Sequence, residues 1–299
     1  MPSKELKPLL KWAGGKTQLL SDISNAYPEG FGDTIRKYAE PFVGGGAVLF
    51  DILSRYTLDE VYISDVNAEL INMYIVVRDH ADALLEILSQ YQTQYLSLDA
   101  EGRKLYYYSK RDEFNRLIMS GASRSGIKSA ALFIFLNRTC FNGLYRANKA
   151  GLFNVPKGDQ LNPLICNESN IRAVSTALAN VQIVCGDYSK SSSFIDERTL
   201  VYLDPPYRPL KGRDNFISYT ETEFDDSCQR ALAGFIEEMD ARGAYIILSN
   251  SDPKNVDSSD DFFENLYADY DIQRIYAKRK INRNAEHRGY ITELLIKNY

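Results

Sequence analysis

The stretch Leu200-Val201-Tyr202-Leu203-Asp204-Pro205-Pro206-Tyr207 indicates both the fold and the chemistry of this chain. Its first four residues form an apolar run of the length of a buried strand. An acid and two prolines end that strand, so Asp204 lies at a carboxyl end, where open α/β sheets bind ligands. Proline fixes φ, lacks an N–H and restricts the residue before it. The stiff loop presents a carboxylate, a carbonyl and an aromatic ring, which suit a planar ring bearing an NH2 group. A proline turn with an incidental Asp and Tyr is the plainer alternative.

The bulk composition is that of an ordinary globular chain. It has 299 residues and a formal net charge of −5. No apolar run is long enough to span a bilayer and no signal peptide is visible, so we expect no membrane partner and a cytoplasmic location. Its four cysteines show neither CxxC spacing nor pairing with histidine, and only two histidines are present. Reduced thiols and no metal site are therefore expected.

The distribution of charge is uneven. From Arg103 to Lys157 there are eleven basic and two acidic residues, a balance of +9, which leaves −14 for the rest of the chain. A basic block on an acidic body indicates a local contact with a polyanion.

Two glycine-rich stretches precede the acid at Asp204. Lys11-Trp12-Ala13-Gly14-Gly15-Lys16-Thr17 is not a Walker A loop, because Leu10 stands where its first glycine is required. What remains is a tight turn that displays an indole and an ammonium. Trp12 is either a core aromatic or the wall of a ligand pocket. In Glu40-Pro41-Phe42-Val43-Gly44-Gly45-Gly46, a strand ends in a glycine turn before a helix, an arrangement that lets backbone approach a ligand.

Three acids follow three predicted strands. Asp65 ends Val61–Ser64, Asp187 follows Val181–Cys185, and Asp204 ends the strand quoted above. An acid about twenty residues after a glycine turn binds ribose hydroxyls in nucleoside-binding α/β folds. Asp65 could also cap the helix that starts near Asn67, either instead of this role or together with it. Together the three acids predict a nucleoside ligand along one sheet edge.

The middle of the chain is predicted to be mainly helical, with helices near 82–95, 104–118 and 129–136. Asn-Gly and Ala-Gly turns between short β-like runs in 141–158 predict a hairpin. Arginine and asparagine read guanine and adenine edges in the major groove, and Phe141 could wedge into a base stack. A solvated basic face over core aromatics is the alternative.

The last third continues the alternation of helices and strands. A helix is expected over 224–241, ending at Gly243, then a strand over 244–250 and an antiparallel pair at 272–277 and 291–297. The basic loop of that pair, Lys278 to Arg288, could contact phosphates or be a mobile charged loop.

These motifs, in this order, resemble the Dam-type (D12 class, alpha group) DNA adenine-N6 methyltransferases. The resemblance runs from Lys11 to Asn298. It rests on the Lys11–Lys16 turn, the Glu40–Gly46 motif, the Asp204–Tyr207 tetrapeptide, and the hairpin residues Asn142-Gly143-Leu144-Tyr145-Arg146 with Phe153-Asn154-Val155-Pro156. Phe141 stands where some members have tyrosine, and Asp159 where some have a basic residue.

The resemblance implies a fold, an activity and a set of sites. The fold is a Rossmann-like α/β methyltransferase sheet, mostly parallel with a closing antiparallel pair, formed by 1–73 and 177–299; residues 74–176 form a mainly helical DNA-recognition insertion with a β-hairpin. The activity is transfer of methyl from S-adenosyl-L-methionine to N6 of a flipped adenine in double-stranded DNA, with GATC favoured. The implied catalytic residues are Asp204, Pro205 and Tyr207. The implied cofactor-binding residues are Trp12, Lys16, Phe42, Gly44, Gly46, Asp65, Asp187 and Asp204. The implied DNA-binding residues are Arg138, Phe141, Asn142, Leu144, Arg146, Asn154 and Pro156, with Arg146 on guanine. A monomeric bacterial or phage protein is expected, with a cognate restriction endonuclease as a possible partner.

Other functions remain open at this point. A cytosine-C5 methyltransferase is discarded, because no cysteine follows a proline or lies in a glycine-rich catalytic loop. Cytosine-N4 and RNA-adenine methylation would use similar chemistry. A non-catalytic DNA-binding module is a third alternative. An NAD oxidoreductase is disfavoured by the broken glycine fingerprint, since Leu49 stands where its last glycine would be.

Overall fold

The computed structural model describes residues 6–120, 125–209, 224–278 and 290–299. The side chains of the basic loop from Lys278 to Arg288 lie outside this part, so its predicted phosphate contacts stay a prediction.

Strands and helices alternate over most of the described chain. The strands are β1 (Lys37–Glu40), β2 (Glu60–Asp65), β3 (Val181–Cys185), β4 (Thr199–Leu203), β5 (Tyr245–Ser251), β6 (Asp271–Lys278) and β7 (Tyr290–Lys297). The α-helices are α1 (Leu20–Asn25), α2 (Ala47–Arg55), α3 (Ala68–Asp79), α4 (Ala81–Ser97), α5 (Ala100–Met119), α6 (Ile127–Thr139), α7 (Glu168–Leu178), α8 (Asp226–Ala241) and α9 (Phe262–Leu266). Short 3-10 helices cover Lys16–Gln18, Phe141–Gly143, Tyr188–Ser191 and Pro253–Asn255.

The described strands form one seven-stranded sheet in the order β3-β2-β1-β4-β5-β7-β6. The pairs β1–β2, β1–β4 and β4–β5 are parallel, whereas β7 runs antiparallel to both β5 and β6. Every residue of β4 is buried, as expected of a central strand in a parallel sheet. This topology confirms the predicted mixed α/β methyltransferase fold, including its antiparallel pair.

The described chain divides into two compact units. The first, here called the helical unit, draws on 1–15, 44–55 and 64–186; the second, here called the sheet unit, draws on 16–43, 56–63 and 187–299. The predicted recognition insertion, 74–176, falls within the helical unit, and its independence as a domain stays a prediction.

The core of the helical unit is α6, which packs against α3, α4 and α5. Nearly all of its residues are buried, among them Leu132, Phe133, Ile134, Phe135 and Leu136. A helix that is apolar all round belongs in the middle of a bundle. The predicted helices at 82–95, 104–118 and 129–136 are confirmed as α4, α5 and α6.

In the sheet unit, α8 is amphipathic and begins and ends at identifiable signals. The Asp225 carboxylate accepts hydrogen bonds from the N–H groups of Ser227 and Cys228, as an N-cap does. Gly243 has φ +84°, and the Ala244 N–H donates to the Met239 carbonyl, so the chain turns sharply into β5.

The predicted hairpin is present in a reduced form. Antiparallel bridges join Ala147 to Phe153 and Cys140 to Lys157, but no ladder is long enough to count as a strand. Its tip is the Ala150-Gly151 turn, where the Gly151 N–H donates to the Asn148 carbonyl at 2.8 Å. The predicted Asn-Gly turn is a 3-10 turn outside the tip, with Asn142 at φ +56°.

Candidate active site

Asp204 follows β4 directly, at the carboxyl end of the strand, as predicted. Its Oδ1 lies 2.7 Å from the Nζ of Lys16, and its side chain is 20% exposed. Burial raises the pKa of Asp204, and the Lys16 ammonium opposes that rise. In the described part of the chain its other oxygen, Oδ2, has no hydrogen-bond donor beside it. The carboxylate therefore holds one cation and keeps one acceptor.

Lys16 is a buried cation, with its side chain 4% exposed. It lies in the 3-10 helix that follows the first glycine turn. Its Nζ donates to the phenolic oxygen of Tyr207 at 2.8 Å and also lies over the Tyr207 ring, 4.9 Å from the centroid. The geometry agrees with rejecting a phosphate loop, because this ammonium faces a carboxylate of its own unit.

Tyr207 is fixed at both ends of its hydroxyl. The phenol donates to Glu293 Oε2 at 2.7 Å and accepts from Lys16. Burial, together with the Asp204 and Glu293 carboxylates, raises the pKa of Tyr207, so the phenol stays protonated as a donor. The structure thus brings three predicted residues, Lys16, Asp204 and Tyr207, together with one that the sequence did not indicate, Glu293.

A second group of predicted residues lies in the helical unit, around the glycine turn. The Gly44 N–H donates to Asp65 Oδ2 at 3.1 Å, and the Tyr74 phenol donates to the Gly44 carbonyl at 2.9 Å. A Cβ on Gly46, which has φ +72°, would lie 2.6 Å from the Tyr74 hydroxyl. Glycine is therefore required here by the backbone conformation and by protein packing.

The alternative role for Asp65, as a helix cap, is wrong. Asn67 is the N-cap of α3, since its side chain accepts from the Leu70 N–H at 2.8 Å. Asp65 instead accepts from the N–H groups of Asn67 and Gly44. Burial raises the pKa of Asp65, and these backbone hydrogen bonds work against the rise. A lone pair that these N–H groups leave free could accept a ribose hydroxyl.

Trp12 packs against this glycine turn. Its ring is stacked on Tyr145 at 5.5 Å with an interplanar angle of 18°, and it meets Phe133 edge-on. A Cβ on Gly44 would lie 3.0 Å from Trp12 Cδ1. Trp12 is half-buried, so it belongs to the aromatic packing of the helical unit and still presents part of its surface.

Phe42 and Asp187 lie in the sheet unit. Phe42 is half-buried and contacts two aromatic rings, Tyr188 at 5.7 Å and Phe224 at 6.1 Å between centroids. Asp187 is exposed and begins the next 3-10 helix, accepting from the N–H and the hydroxyl of Ser189. These groups offer a flat apolar surface and a carboxylate, which suit an adenine ring.

The predicted DNA-reading residues differ in how they are presented. Arg146 is exposed, and its Nε donates to Asn154 Oδ1 at 2.7 Å, so two predicted readers touch each other across the hairpin. Phe141 is 49% exposed. Asn142 and Pro156 are also exposed, and Leu144 is half-buried.

Arg138 is the predicted DNA contact that is least available. It is half-buried, and its guanidinium lies 3.5 Å from the Pro8 carbonyl. Burial lowers the pKa of this guanidinium. Its neighbour Asn137 was not predicted, yet it is buried and bonds to both backbone groups of Lys11 and to the Gly143 carbonyl. Asn137 thereby fixes the hairpin base to the segment that carries Trp12.

Comparison with known proteins identifies the family. A family model for D12 class N6 adenine-specific DNA methyltransferases matches residues 12–281. The chain belongs to this family and is an N6 adenine-specific DNA methyltransferase.

Named relatives match over almost their whole length. The chain is 48% identical to the type II methyltransferase M.MjaIII of Methanocaldococcus jannaschii, covering 99% of this chain and 100% of the relative. It is 35% identical to the type II methyltransferase M1.LlaDCHI of Lactococcus lactis subsp. cremoris, covering 98% and 96%. It is 33% identical to the DNA adenine methylase of Haemophilus influenzae, covering 98% and 94%.

Among the helices formed by the described residues, none is both long and apolar enough to cross a membrane. No cluster of three or more His, Cys, Asp or Glu side chains in the described part of the chain could hold a metal ion.

Proposed function

We propose that this enzyme transfers a methyl group from S-adenosylmethionine to N6 of an adenine that has been flipped out of double-stranded DNA, with GATC as the favoured site. The observation that carries the proposal is the buried cluster of Lys16, Asp204 and Tyr207 at the carboxyl end of β4. Sheet edges of this kind are where open α/β folds bind nucleosides.

The residue chemistry fits S-adenosylmethionine. Asp65 supplies an oriented carboxylate for ribose hydroxyls, and Phe42 with Asp187 supplies an aromatic surface and an acceptor for the adenine. Trp12, Lys16, Gly44, Gly46 and Asp204 complete the proposed cofactor-binding set. When bound, the cofactor supplies an electrophilic methyl group on a sulfonium.

Asp204 and Pro205 would act on the target amine. The N6 lone pair of adenine is delocalised into the ring, so N6 is a poor nucleophile. Hydrogen bonds from the amine to Asp204 Oδ2 and the Pro205 carbonyl would favour a pyramidal nitrogen and free that lone pair. Asp204 need not be a strong base, because the amine becomes acidic once it is methylated, and the proton can then leave through the carboxylate to water. Positioning of this kind is a large part of catalytic rate enhancement.

Tyr207 would stack on the base after it leaves the duplex. Extrusion costs roughly a few kcal/mol, and stacking on an aromatic ring offsets part of that cost. On the DNA side, Phe141 would fill the gap in the stack. Arg146 would read guanine, with Asn142, Leu144, Asn154, Pro156 and Arg138 as further DNA contacts.

The test is methylation of a defined plasmid. The purified protein is incubated with methyl-labelled S-adenosylmethionine, the modified nucleoside is identified by mass spectrometry, and its positions are mapped by sequencing. We expect N6-methyladenine within GATC. N4-methylcytosine, or activity on RNA alone, would replace the proposed substrate, and N6-methyladenine at other sites would correct the recognition sequence.

The matched variant is Asp204→Ala. We expect it to fold, as judged by circular dichroism, and to lose at least about 100-fold in rate, the lower bound for a group that handles the transferred proton. A folded Asp204→Ala protein that methylates DNA at the wild-type rate would refute the role of Asp204. The predicted monomeric state, cytoplasmic location and companion restriction endonuclease stay predictions.

A further inference from the structure

Glu293 is a largely buried carboxylate in the middle of a strand. It lies on β7, in register with Ser251 of β5 and Ile275 of β6, and its side chain is 13% exposed. Leu294, which follows it, is fully buried. A charge placed at such a position is costly unless it is paired or hydrogen-bonded. The partners of Glu293 therefore indicate its role.

Those partners are two residues of the site. Glu293 Oε2 accepts from the Tyr207 phenol at 2.7 Å and lies 3.7 Å from Lys16 Nζ. The same Nζ lies 2.7 Å from Asp204 Oδ1. One ammonium thus faces two carboxylates, so the ionised cluster carries one excess negative charge.

The phenol of Tyr207 links the two sides of the cluster. It accepts from Lys16 and donates to Glu293, so its hydrogen bonds have only one workable direction. These two hydrogen bonds fix the position of the phenolic oxygen, and with it the end of the ring. The neutral phenol contacts both Lys16 and Glu293, and the ammonium lies 1 Å closer to Asp204 (2.7 Å) than to Glu293 (3.7 Å).

We propose that Glu293 is a positioning residue for methyl transfer: it holds the Tyr207 ring through the phenol and shares the Lys16 ammonium with Asp204, which leaves Asp204 an oxygen for the target amine. This inference rests on the proposed function, in which Asp204 accepts that amine. Without the Glu293 charge, the Lys16 ammonium would be drawn more strongly to Asp204.

The charges around Asp204 predict in which direction its pKa should change when Glu293 is replaced. Burial raises the pKa of Asp204, Lys16 lowers it and Glu293 raises it. Of the described residues, the phenols of Tyr207 and Tyr202 also lie close to Asp204. Burial raises their pKa values, so they stay neutral. Removing the negative charge of Glu293 should lower the pKa of Asp204. The carboxylate form of Asp204 is the active form. The acid limb of the pH–rate profile, where the methylation rate falls as Asp204 is protonated, should therefore move to lower pH.

The experiment measures single-turnover methylation with enzyme in excess, between pH 5 and 9, for wild type, Glu293→Gln and Glu293→Asp. Glutamine can still accept from the Tyr207 phenol but carries no charge. We expect Glu293→Gln to have a plateau rate about tenfold lower, equivalent to about 1.4 kcal/mol. Its acid limb should shift to lower pH, as expected for the loss of a nearby like charge. Glu293→Asp keeps the charge and should keep the wild-type limb.

Two controls separate this role from a purely structural one. Glu238 lies on α8 and has a half-exposed side chain. The variant Glu238→Gln should have the plateau rate and the acid limb of the wild-type pH–rate profile. Dissociation constants for DNA and cofactor should be unchanged in Glu293→Gln, because the proposed loss is in the chemical step. A lower melting temperature with wild-type plateau and limb would mean that Glu293 only stabilises the fold, and would overturn the proposal.

Failure of the inference is distinguishable from failure of the proposed function. If wild type forms no N6-methyladenine, the proposed function is wrong, and the proposed role of Glu293 is wrong as well. If wild type is active and a folded Glu293→Gln matches it, only the role of Glu293 is lost. Should Glu293→Gln not fold, Tyr207→Phe cuts the same link at the phenol, and a wild-type rate in that variant would overturn the proposal.

Discussion

At the scale of single residues, Arg146 has an exposed guanidinium that the hairpin holds in place, as its proposed contact with guanine would require. Its guanidinium is exposed, yet Asn154 holds it through a side-chain contact at 2.7 Å and a carbonyl contact at 3.3 Å. The Asn154 N–H in turn donates to the Arg146 carbonyl at 3.1 Å. An oriented guanidinium loses less conformational entropy when it binds. The Arg146–Asn154 pair therefore favours a specific contact with a base over sequence-independent attraction to DNA.

We expect Arg146→Ala to relax specificity at one guanine of the recognition site. The loss of discrimination should be about 1–3 kcal/mol, the range for a bidentate arginine–guanine contact. The measurement is kcat/KM on duplexes substituted at each position in turn, with the exposed Lys104→Ala as control. Asn154→Ala should give a smaller loss at the same position. Unchanged discrimination at every position would remove Arg146 as a reader.

At the scale of elements, a buried lysine fastens the start of β1 to the loop before β4. Lys37 Nζ lies 2.9 Å from Asp196 Oδ2 and donates to the Phe194 carbonyl. Asp196 Oδ1 accepts from the Thr199 hydroxyl at 3.0 Å, and Lys37 pairs with Thr199 in the strand register. This contact holds in register the two strands whose carboxyl ends carry Phe42 and Asp204.

The Asp196 carboxylate gives stability a predictable dependence on pH. Burial alone would raise its pKa, but hydrogen bonds from Lys37, Arg198 and Thr199 outweigh burial and lower the pKa to about 2. An unfolded aspartate has a pKa of about 3.9, so the contribution is complete above about pH 5 and is lost as pH falls toward 2.

We therefore expect the difference in free energy of unfolding between wild type and Asp196→Asn to shrink by about half between pH 7 and pH 3. Urea titrations at a series of pH values measure it. Lys37→Met removes the partner of Asp196. The difference in free energy of unfolding between this variant and wild type should also shrink between pH 7 and pH 3. If the difference in free energy of unfolding between wild type and Asp196→Asn stays constant down to pH 3, the pKa of Asp196 is not lowered.

The elements themselves could be foreseen because their patterns are local. The apolar run before Asp204 and the periodicity of α4, α5 and α6 are complete within each segment. The exact turn of the hairpin could not be foreseen, since Asn142-Gly143 and Ala150-Gly151 are both good turn sequences. In the structure Asn137 bonds to Lys11 and to the Gly143 carbonyl, which fixes Asn142-Gly143 at the base of the hairpin. Its place at the end of an apolar helix gives no sign of these contacts.

At the scale of the whole molecule, charge is concentrated where nucleic acid is expected. The chain is acidic overall, yet 103–157 carries a balance of +9. Several of these basic side chains are exposed, Arg146 and Lys149 among them. Neutralising DNA phosphates releases counterions, so affinity should fall steeply with salt.

We expect Lys149→Ala to weaken binding about equally on all duplex sequences. The slope of log K against log salt concentration should lose about 0.9 in magnitude for the one phosphate contact removed. Fluorescence anisotropy at several salt concentrations measures the slope, with the exposed Arg230→Ala of α8 as control. A sequence-dependent loss, or an unchanged slope, would show that Lys149 does not act through a phosphate.

The site as a whole was only partly visible from the sequence. Lys16, Asp204 and Tyr207 lie in short motifs with their own signals. Glu293 does not: it interrupts an apolar strand, and only the register of β7 beside β5 brings it to the Tyr207 phenol. A single sequence gives no direct measure of which distant strands become neighbours, so such partners emerge only from the fold.

The place of β7 has a consequence for biosynthesis. Of the seven strands it is the last to be made, yet it belongs between β5 and β6, not at an edge. A nascent chain that has emerged only as far as β6 lacks the strand that separates them, and Tyr207 lacks its carboxylate. Translation must therefore pass β7 before the sheet can be completed, so ribosome-bound fragments that end before β7 should show no methyltransferase activity.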